Sequence, residues 1–150
     1  MTFATWERRP VFQDPAAARF FVEELRTLRS ELHFLLLGYV VMPDHVHLIV
    51  VPGLAANLGN IMQYVKGRFA RRYNERTGGV GKLWQDRYYE SIIRDEASLV
   101  RRMQYIEANP VTAGLVSQPE EFPFSSAASE RDDLESYLAP QAIESVARPG

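Results

Sequence analysis

The sequence contains no cysteine among its 150 residues. Disulfides and thiolate metal sites are therefore excluded, which leaves imidazole, carboxylate, amide and water as metal ligands. The sequence also lacks a run of about 18 apolar residues, and its first residues do not read as a signal peptide. Nothing directs the chain into or through a membrane, and we expect a cytoplasmic protein. With 46% hydrophobic and 24% charged residues, one globular domain is expected.

A strong overall charge is absent as well, because the net charge is only −2. Its distribution is uneven: residues 117–150 carry seven acidic residues against two arginines, a net charge of −5, so the first 116 residues carry +3. A basic cluster within them is interrupted by one acid and comprises Lys66, Arg68, Arg71, Arg72 and Arg76. Such a cluster is a candidate phosphate-binding surface, although a solvated helix face has the same composition.

Hydrophobic periodicity and capping residues predict the order strand, helix, strand, strand, helix, strand, helix. The predicted elements span approximately residues 2–6, 15–31, 33–42, 45–51, 57–76, 83–94 and 96–109. Asp14, Asn57 and Asp95 are the expected N-caps, and Pro110 is expected to stop the last helix. This order matches an α+β, ferredoxin-like split β-α-β fold: an antiparallel sheet with helices on one face, plus an added helix.

Two of the three histidines, His45 and His47, are two residues apart in a strongly β-forming segment. Strand alternation places both side chains on one face and Val46, Leu48 and Val50 on the other. Two imidazoles so placed are suited to one divalent ion. A His-x-His pair by itself is weak evidence, because exposed or satisfied strand histidines show the same spacing. Two ligands are also too few, so a third must come from elsewhere.

The third predicted helix offers that ligand, since Tyr105 and Asn109 are four residues apart and share one helical face. An amide oxygen suits Mg²⁺ or Mn²⁺, and a phenol one turn away would reach the same place. A core tyrosine and a helix C-cap before proline would show the same pattern. The other tyrosines lack such a partnership. We expect structural roles for Tyr39, Tyr64 and Tyr73, and for His33 as well.

The segments VMPDHVHLIVVP, WQDRYYESIIRDEASL and YIEANPVTAGLV occur in this order. Together they resemble the REP-associated tyrosine transposases, relatives of the single-tyrosine insertion-sequence transposases. The resemblance covers about residues 1–127 and leaves residues 128–150 as an acidic tail, which could be helical. It implies an HUH fold in which the added helix is catalytic. It also implies that Tyr105 is the nucleophile, with His45, His47 and Asn109 as ligands of Mg²⁺ or Mn²⁺.

The same resemblance implies metal-dependent nicking and strand transfer of single-stranded DNA through a 5′-phosphotyrosine, at repeats that form hairpins. The expected partner is single-stranded or hairpin DNA. The protein is expected in the bacterial cytoplasm, associated with the nucleoid while it acts. The chain would act as a monomer or a homodimer. The candidate DNA-binding residues are Lys66, Arg68, Arg71, Arg72, Arg87, Arg94, Arg101 and Arg102. Trp84 and Tyr88 could stack on bases, although a core role suits Trp84 equally well.

Two other functions remain open from the residues. A domesticated protein could bind hairpin DNA without cutting it, although such a binder has no use for the histidines, tyrosine and asparagine. A metal-dependent hydrolase could activate water at the histidines, but Ile49 and Val50 occupy the Asp and His places of a dinuclear H-x-H-x-D-H pattern. GGVGK at residues 78–82 lacks the first glycine of a Walker loop and is followed by leucine, so it predicts a turn.

Overall fold

The computed structural model describes residues 1–129, 131 and 133–139. This part of the chain contains four strands and three long helices. They are β1 (Thr2–Thr5), α1 (Pro15–Leu32), β2 (Leu35–Met42), β3 (His45–Val51), α2 (Leu58–Thr77), β4 (Trp84–Tyr89) and α3 (Glu96–Thr112). Short 3-10 turns occupy Trp6–Arg8, Val11–Gln13, Pro119–Glu121 and Ser126–Ala128. None of the described helices is long and apolar enough to span a membrane.

The strands form one antiparallel sheet in the order β2-β3-β1-β4. The chain thus crosses from β1 over α1 to the far edge, returns by a hairpin at Pro43 and Asp44, and crosses over α2 to the other edge. This topology confirms the predicted α+β, ferredoxin-like arrangement. It also makes β3 a central strand, because β2 and β1 pair with it on either side.

The three predicted N-caps are confirmed. Side-chain oxygens of Asp14, Asn57 and Asp95 accept hydrogen bonds from backbone N–H groups in the first turns of α1, α2 and α3. Each cap satisfies one of the donors that a helix start leaves without a partner inside the helix. The sequence therefore determined where these helices begin.

Two predicted boundaries are wrong. The last strand ends at Tyr89 rather than Arg94, because β4 pairs only with β1 and Tyr89 is already opposite Thr2, where β1 starts. The third helix continues through Pro110 to Thr112. Proline lacks an N–H and its ring crowds the carbonyl four residues earlier, but the final turn still forms here: Ala113 N donates to the oxygen of Asn109 at 2.9 Å.

Opposite faces of the sheet carry different helices. On one face α1 and α2 pack over a core that includes Phe3, Phe21, Val46, Leu48 and Phe69. On the other face α3 packs over a smaller core, against which Leu134, Tyr137 and Leu138 of the helical segment 133–139 also pack. The buried members of that second core are Leu37, Val40, Met42, Ile49, Leu99, Met103 and Ile106. The added helix is therefore separated from the other two by the sheet.

Helix α3 packs tightly against the sheet at Gly38 of β2. A Cβ at this position would overlap the Sδ and Cε atoms of Met103. The missing side chain lets α3 lie directly on β2, which sets the height of this helix above the strand that carries the histidines.

The segment after α3 covers the outer edge of β2. Val41 N donates to the carbonyl of Phe124 at 2.8 Å, and Tyr39 N donates to Ser126 Oγ at 3.2 Å. These bonds satisfy edge groups that would otherwise be open to another strand. Farther along, the Asp133 carboxylate accepts from the Arg29 guanidinium and from the backbone N–H of Leu36.

The described residues beyond 127 therefore contact the rest of the fold, and residues 133–139 are helical. The division of the chain at residue 127 stays a prediction. Residues 130, 132 and 140–150 of the predicted tail lie outside the described residues.

Candidate active site

The two histidines of β3 lie on the sheet face that α3 covers. Strand alternation sends His45 and His47 toward this face, together with Ile49 of the α3 core, while Val46 is fully buried on the other side. The ring centroids of the two histidines are 5.0 Å apart. The predicted pair on one strand face is thus present, at a spacing that one ion can bridge.

Each histidine ring is fixed through its Nδ1 atom. His47 Nδ1 is 2.7 Å from Thr2 Oγ1 on the neighbouring strand, and His45 Nδ1 is 2.7 Å from Asp44 Oδ1 in the preceding turn. With Nδ1 engaged, Nε2 is the nitrogen that each ring can present to a ligand. Neither role was predicted from the sequence, although Asp44 carried a usable signal. Its place directly before the first histidine was the available signal.

Helix α3 brings an amide and a phenol to the same place. Asn109 Nδ2 is 2.9 Å from His47 Nε2, and the Tyr105 ring meets the His47 ring edge to face, at an interplanar angle of 80° and with 6.1 Å between centroids. The side chain of Tyr105 is 61% exposed, which excludes the alternative in which it packs in the core. The C-cap of α3 is Ala113, so Asn109 does not have the alternative capping role either.

The environment of His47 favours the neutral imidazole. Partial burial of the ring, and then the positive charges of neighbours such as His45 and Arg102, lower the pKa of His47 to about 4. A protonated imidazole has no lone pair for a cation, whereas the neutral ring at physiological pH has one. His47 Nε2, the atom that faces Asn109, therefore has a lone pair available for a metal ion.

These groups fit a divalent ion if the Asn109 amide presents its oxygen, which a half-turn about its terminal bond achieves. Two imidazole nitrogens and one amide oxygen would leave coordination positions for water or phosphate oxygens, as six-coordinate Mg²⁺ or Mn²⁺ requires. Within the described part of the chain, no three His, Cys, Asp or Glu side chains form a metal-binding group. An ion here would depend on the amide.

The predicted DNA-binding residues are divided between the two faces of the molecule. Arg101 and Arg102 line a cavity of about 280 Å³ together with Ser98 and Tyr105. Arg102 also lines a larger cavity of about 840 Å³ that His47 and Arg94 border. Three of the eight predicted basic residues are therefore close to the tyrosine or the histidine.

The other five lie outside these cavities. Arg68 and Arg72 pair with the buried carboxylate of Glu24, with N–O distances of 3.1 and 2.6 Å, so they hold α2 to α1 on the opposite side of the sheet. Lys66 Nζ donates to the backbone oxygen of Gln85 at 2.9 Å. Arg71 and Arg87 are exposed. The basic cluster is in part an interhelical ion-pair network.

The remaining aromatic candidates are now placed. Trp84 is buried, and its Nε1 donates to the backbone oxygen of Lys66, so the core alternative is the correct one. Tyr39 and Tyr73 have the expected structural positions, since the first is buried and the second stacks on Phe69. Tyr64 is exposed instead of packed, with 51% of its surface accessible.

Comparison with known proteins places this geometry in a family. The model of the family described as IS200-like transposases matches residues 1–109, which contain every residue of the site. A REP-associated tyrosine transposase of Escherichia coli K12 is 30% identical over 90 residues, covering 59% of the chain and 52% of that protein. A Haemophilus influenzae protein with a provisional name of the same kind is 31% identical over 96 residues, covering 57% and 54%.

Solved structures show the same fold. A REP-associated tyrosine transposase bound to a REP hairpin matches with a TM-score of 0.68 and 24% identity, over 83% of this chain and 73% of that one. A Deinococcus radiodurans protein provisionally described as a transposase matches with a TM-score of 0.53 and 27% identity, over 71% and 85%. The chain spans about half the length of the curated relatives it matches.

Proposed function

The chain belongs to the IS200-like transposase family, and from this premise we propose that it cuts and rejoins single-stranded DNA through Tyr105 with the help of Mg²⁺ or Mn²⁺. One observation carries the proposal: within a single chain, Asn109 Nδ2 is 2.9 Å from His47 Nε2 while the Tyr105 ring packs edge to face against the same imidazole. A nucleophile, two imidazoles and an amide thus surround one point, where a phosphate and an ion can meet.

The residues have separate roles in this reaction. His45, His47 and Asn109 would hold the ion, with Asp44 and Thr2 fixing the two imidazoles. The ion would offset the negative charge that develops on the phosphate oxygens. Tyr105 stays exposed to solvent, as a nucleophile that must meet a polymeric substrate needs to be.

The chemical step exchanges one phosphate ester for another. The Tyr105 hydroxyl oxygen attacks phosphorus and its proton passes to water, while the bond from phosphorus to the 3′ oxygen breaks and that oxygen takes a proton from water. The product is DNA joined through its 5′-phosphate to tyrosine, beside a free 3′ hydroxyl. Attack by a 3′ hydroxyl on the phosphotyrosine reverses the step, so rejoining needs no nucleoside triphosphate.

The substrate is proposed to be a single strand flanking a hairpin. A structural relative is described as bound to a REP hairpin, which supports this class of substrate. Arg94, Arg101 and Arg102 border the cavities at the site and would hold its phosphates. Lys66, Arg71 and Arg87 remain predicted contacts outside these cavities.

Arg68 and Arg72 are the least favoured of the predicted contacts, because each would have to leave its ion pair with Glu24 to bind DNA.

A monomer is sufficient for this proposal, because one chain supplies all four groups. The alternative is a homodimer that exchanges α3 between subunits. Mixing Tyr105→Phe protein with His47→Ala protein distinguishes the two: a dimer that shares its active sites would regain activity on mixing, whereas a monomer would not.

The central experiment incubates the protein with hairpin-flanked single strands and Mn²⁺, followed by peptide mapping of any protein–DNA adduct. We expect the adduct at Tyr105, and we expect Tyr105→Phe to bind DNA normally without forming it. Tyr89→Phe is the matched control, since Tyr89 is 81% exposed and lines the neighbouring cavity.

Other outcomes would redirect the assignment. Cutting that persists in Tyr105→Phe would indicate a hydrolase that activates water. Binding of hairpin DNA with Mn²⁺ but without an adduct in the unaltered protein would indicate a hairpin-binding protein that does not cut.

A further inference from the structure

The turn after β1 holds two consecutive residues in a conformation that side chains disfavour. Glu7 and Arg8 both have φ of 54°, and among the described non-glycine residues only His33, which ends α1, shares a positive φ. This left-handed region brings Cβ close to the backbone, so it persists only where the surroundings determine it strongly. Two such residues in succession indicate that the placement of a side chain here matters.

The side chain so placed is that of Arg8, and it reaches the histidine pair. Arg8 Nε is 3.0 Å from Asp44 Oδ2, while the other oxygen of Asp44 is 2.7 Å from His45 Nδ1. Arg8 is thus connected through Asp44 to the first imidazole of the site.

Only the Nε edge of the Arg8 guanidinium contacts another side chain. Among the described residues, the two terminal nitrogens of Arg8 have no hydrogen-bond partner, and the side chain is 54% exposed. The neighbouring Arg9 differs, since it donates to the backbone oxygens of Trp6 and Lys82. The donors of Arg8 are therefore available to a ligand, whereas those of Arg9 serve the fold.

We propose that Arg8 binds a DNA phosphate beside the histidine pair, with Asp44 and the strained turn holding its guanidinium in place. A positive charge next to two imidazoles opposes the binding of a bare cation. The same charge stabilises a phosphate that lies against the ion, and a guanidinium presents two parallel donors to such a group. Arg8 would then hold the strand from the β1 side while α3 approaches it from the other.

This inference rests on the proposed function for its ligand but not on DNA cutting. It is therefore tested in the Tyr105→Phe background, where binding is separated from cleavage. The probe is a fluorescein-labelled single strand with one hairpin and unpaired flanks, and affinity is measured by anisotropy over a range of salt concentrations. The variants are Arg8→Gln and Arg8→Lys. Arg19→Gln is the charge-matched control, because Arg19 is an exposed residue of α1, beyond the sheet.

We expect Arg8→Gln to weaken binding about 3- to 10-fold at moderate salt, and to reduce the slope of log affinity against log salt by about 0.7, the value for one phosphate contact with a single strand. Arg8→Lys should keep the slope but lose part of the affinity, since lysine keeps the positive charge but lacks the two parallel donors of a guanidinium. Arg19→Gln should change neither quantity.

A titration of Mn²⁺ without DNA, followed by electron paramagnetic resonance, separates this role from a merely structural one. We expect Arg8→Gln to bind Mn²⁺ no more weakly than the unaltered protein. Weaker Mn²⁺ binding with an unchanged salt slope would show that Arg8 only orients Asp44 and would overturn the proposal, as would unchanged DNA affinity. If the slope falls but the unaltered protein never forms an adduct, the phosphate contact stands and the cutting activity fails.

Discussion

Ser126 connects the helix that carries Tyr105 to the edge of the sheet, and its removal should be costly. The residue is 4% exposed, and its hydroxyl donates to Glu107 Oε1 at 2.8 Å while accepting from the backbone N–H of Tyr39 at 3.2 Å. Glu107 lies on α3 between the two site residues of that helix, and its other oxygen accepts from Arg131 at 2.8 Å. Ser126→Ala deletes one oxygen atom and leaves two buried groups without that partner.

The size of the loss follows from those two groups. A buried donor or acceptor left without a partner costs about 1–3 kcal/mol, so with two such groups Ser126→Ala should lower the free energy of unfolding by about 2–6 kcal/mol. Domains of this kind have about 5–15 kcal/mol in total. At about 2–4 °C for each kcal/mol, the melting temperature should fall by roughly 4–24 °C. The deleted oxygen is too small to leave room for a water molecule that could replace it.

Urea unfolding followed by circular dichroism measures this loss, with Ser30→Ala as the control. Ser30 is exposed on α1, and its hydroxyl bonds only the carbonyl of Arg26 one turn back, at 3.4 Å. The control should stay within about 0.5 kcal/mol of the unaltered protein. If Ser126→Ala also stays within that range, the two hydrogen bonds do not stabilise the fold as argued, and the link from Ser126 to α3 is wrong.

Two further perturbations test the supports of the fold. Asp133→Asn should cost about 1–3 kcal/mol at neutral pH, because hydrogen bonds from Arg29 and Leu36 hold the pKa of this buried carboxyl below its usual value. The contribution of the Asp133 carboxylate to stability is fully present above the unfolded pKa of about 4 and is lost as pH falls through the lower folded pKa. The unfolding curves of the two proteins should therefore stay apart at pH 7 and converge in acid. A difference that persists in acid would contradict this. Gly38→Ala should destabilise by about 1–3 kcal/mol, because the new methyl group displaces α3, and should slow adduct formation. Gly67 is a residue of α2 with no atom near its new Cβ, so Gly67→Ala should instead stabilise the protein by about 0.5–1 kcal/mol. Equal effects at the two glycines would show that α3 does not depend on the missing side chain of Gly38.

Local patterns in the sequence determined most of the architecture. The alternation of HVHLIVV fixed which side chains of β3 share a face, and Asp14, Asn57 and Asp95 fixed the starts of the three helices. The four-residue spacing of Tyr105 and Asn109 fixed their common helical face. These features depend on the 2-residue and 3.6-residue periods of the backbone and on hydrogen bonds within a few residues, so they can be read without tertiary structure.

Contacts between distant segments required the structure. The sequence could not show that Thr2 fixes the ring of His47, 45 residues away, or that the arginines of α2 pair with Glu24, 48 residues from Arg72. A charged residue in a helix has the same local signature whether it meets phosphate or a carboxylate, because its partner is chosen by packing of the helices. For the same reason the sequence supplied candidates for each role at the site, and only the docking of α3 on Gly38, opposite α1 and α2, brought phenol, amide and imidazoles together.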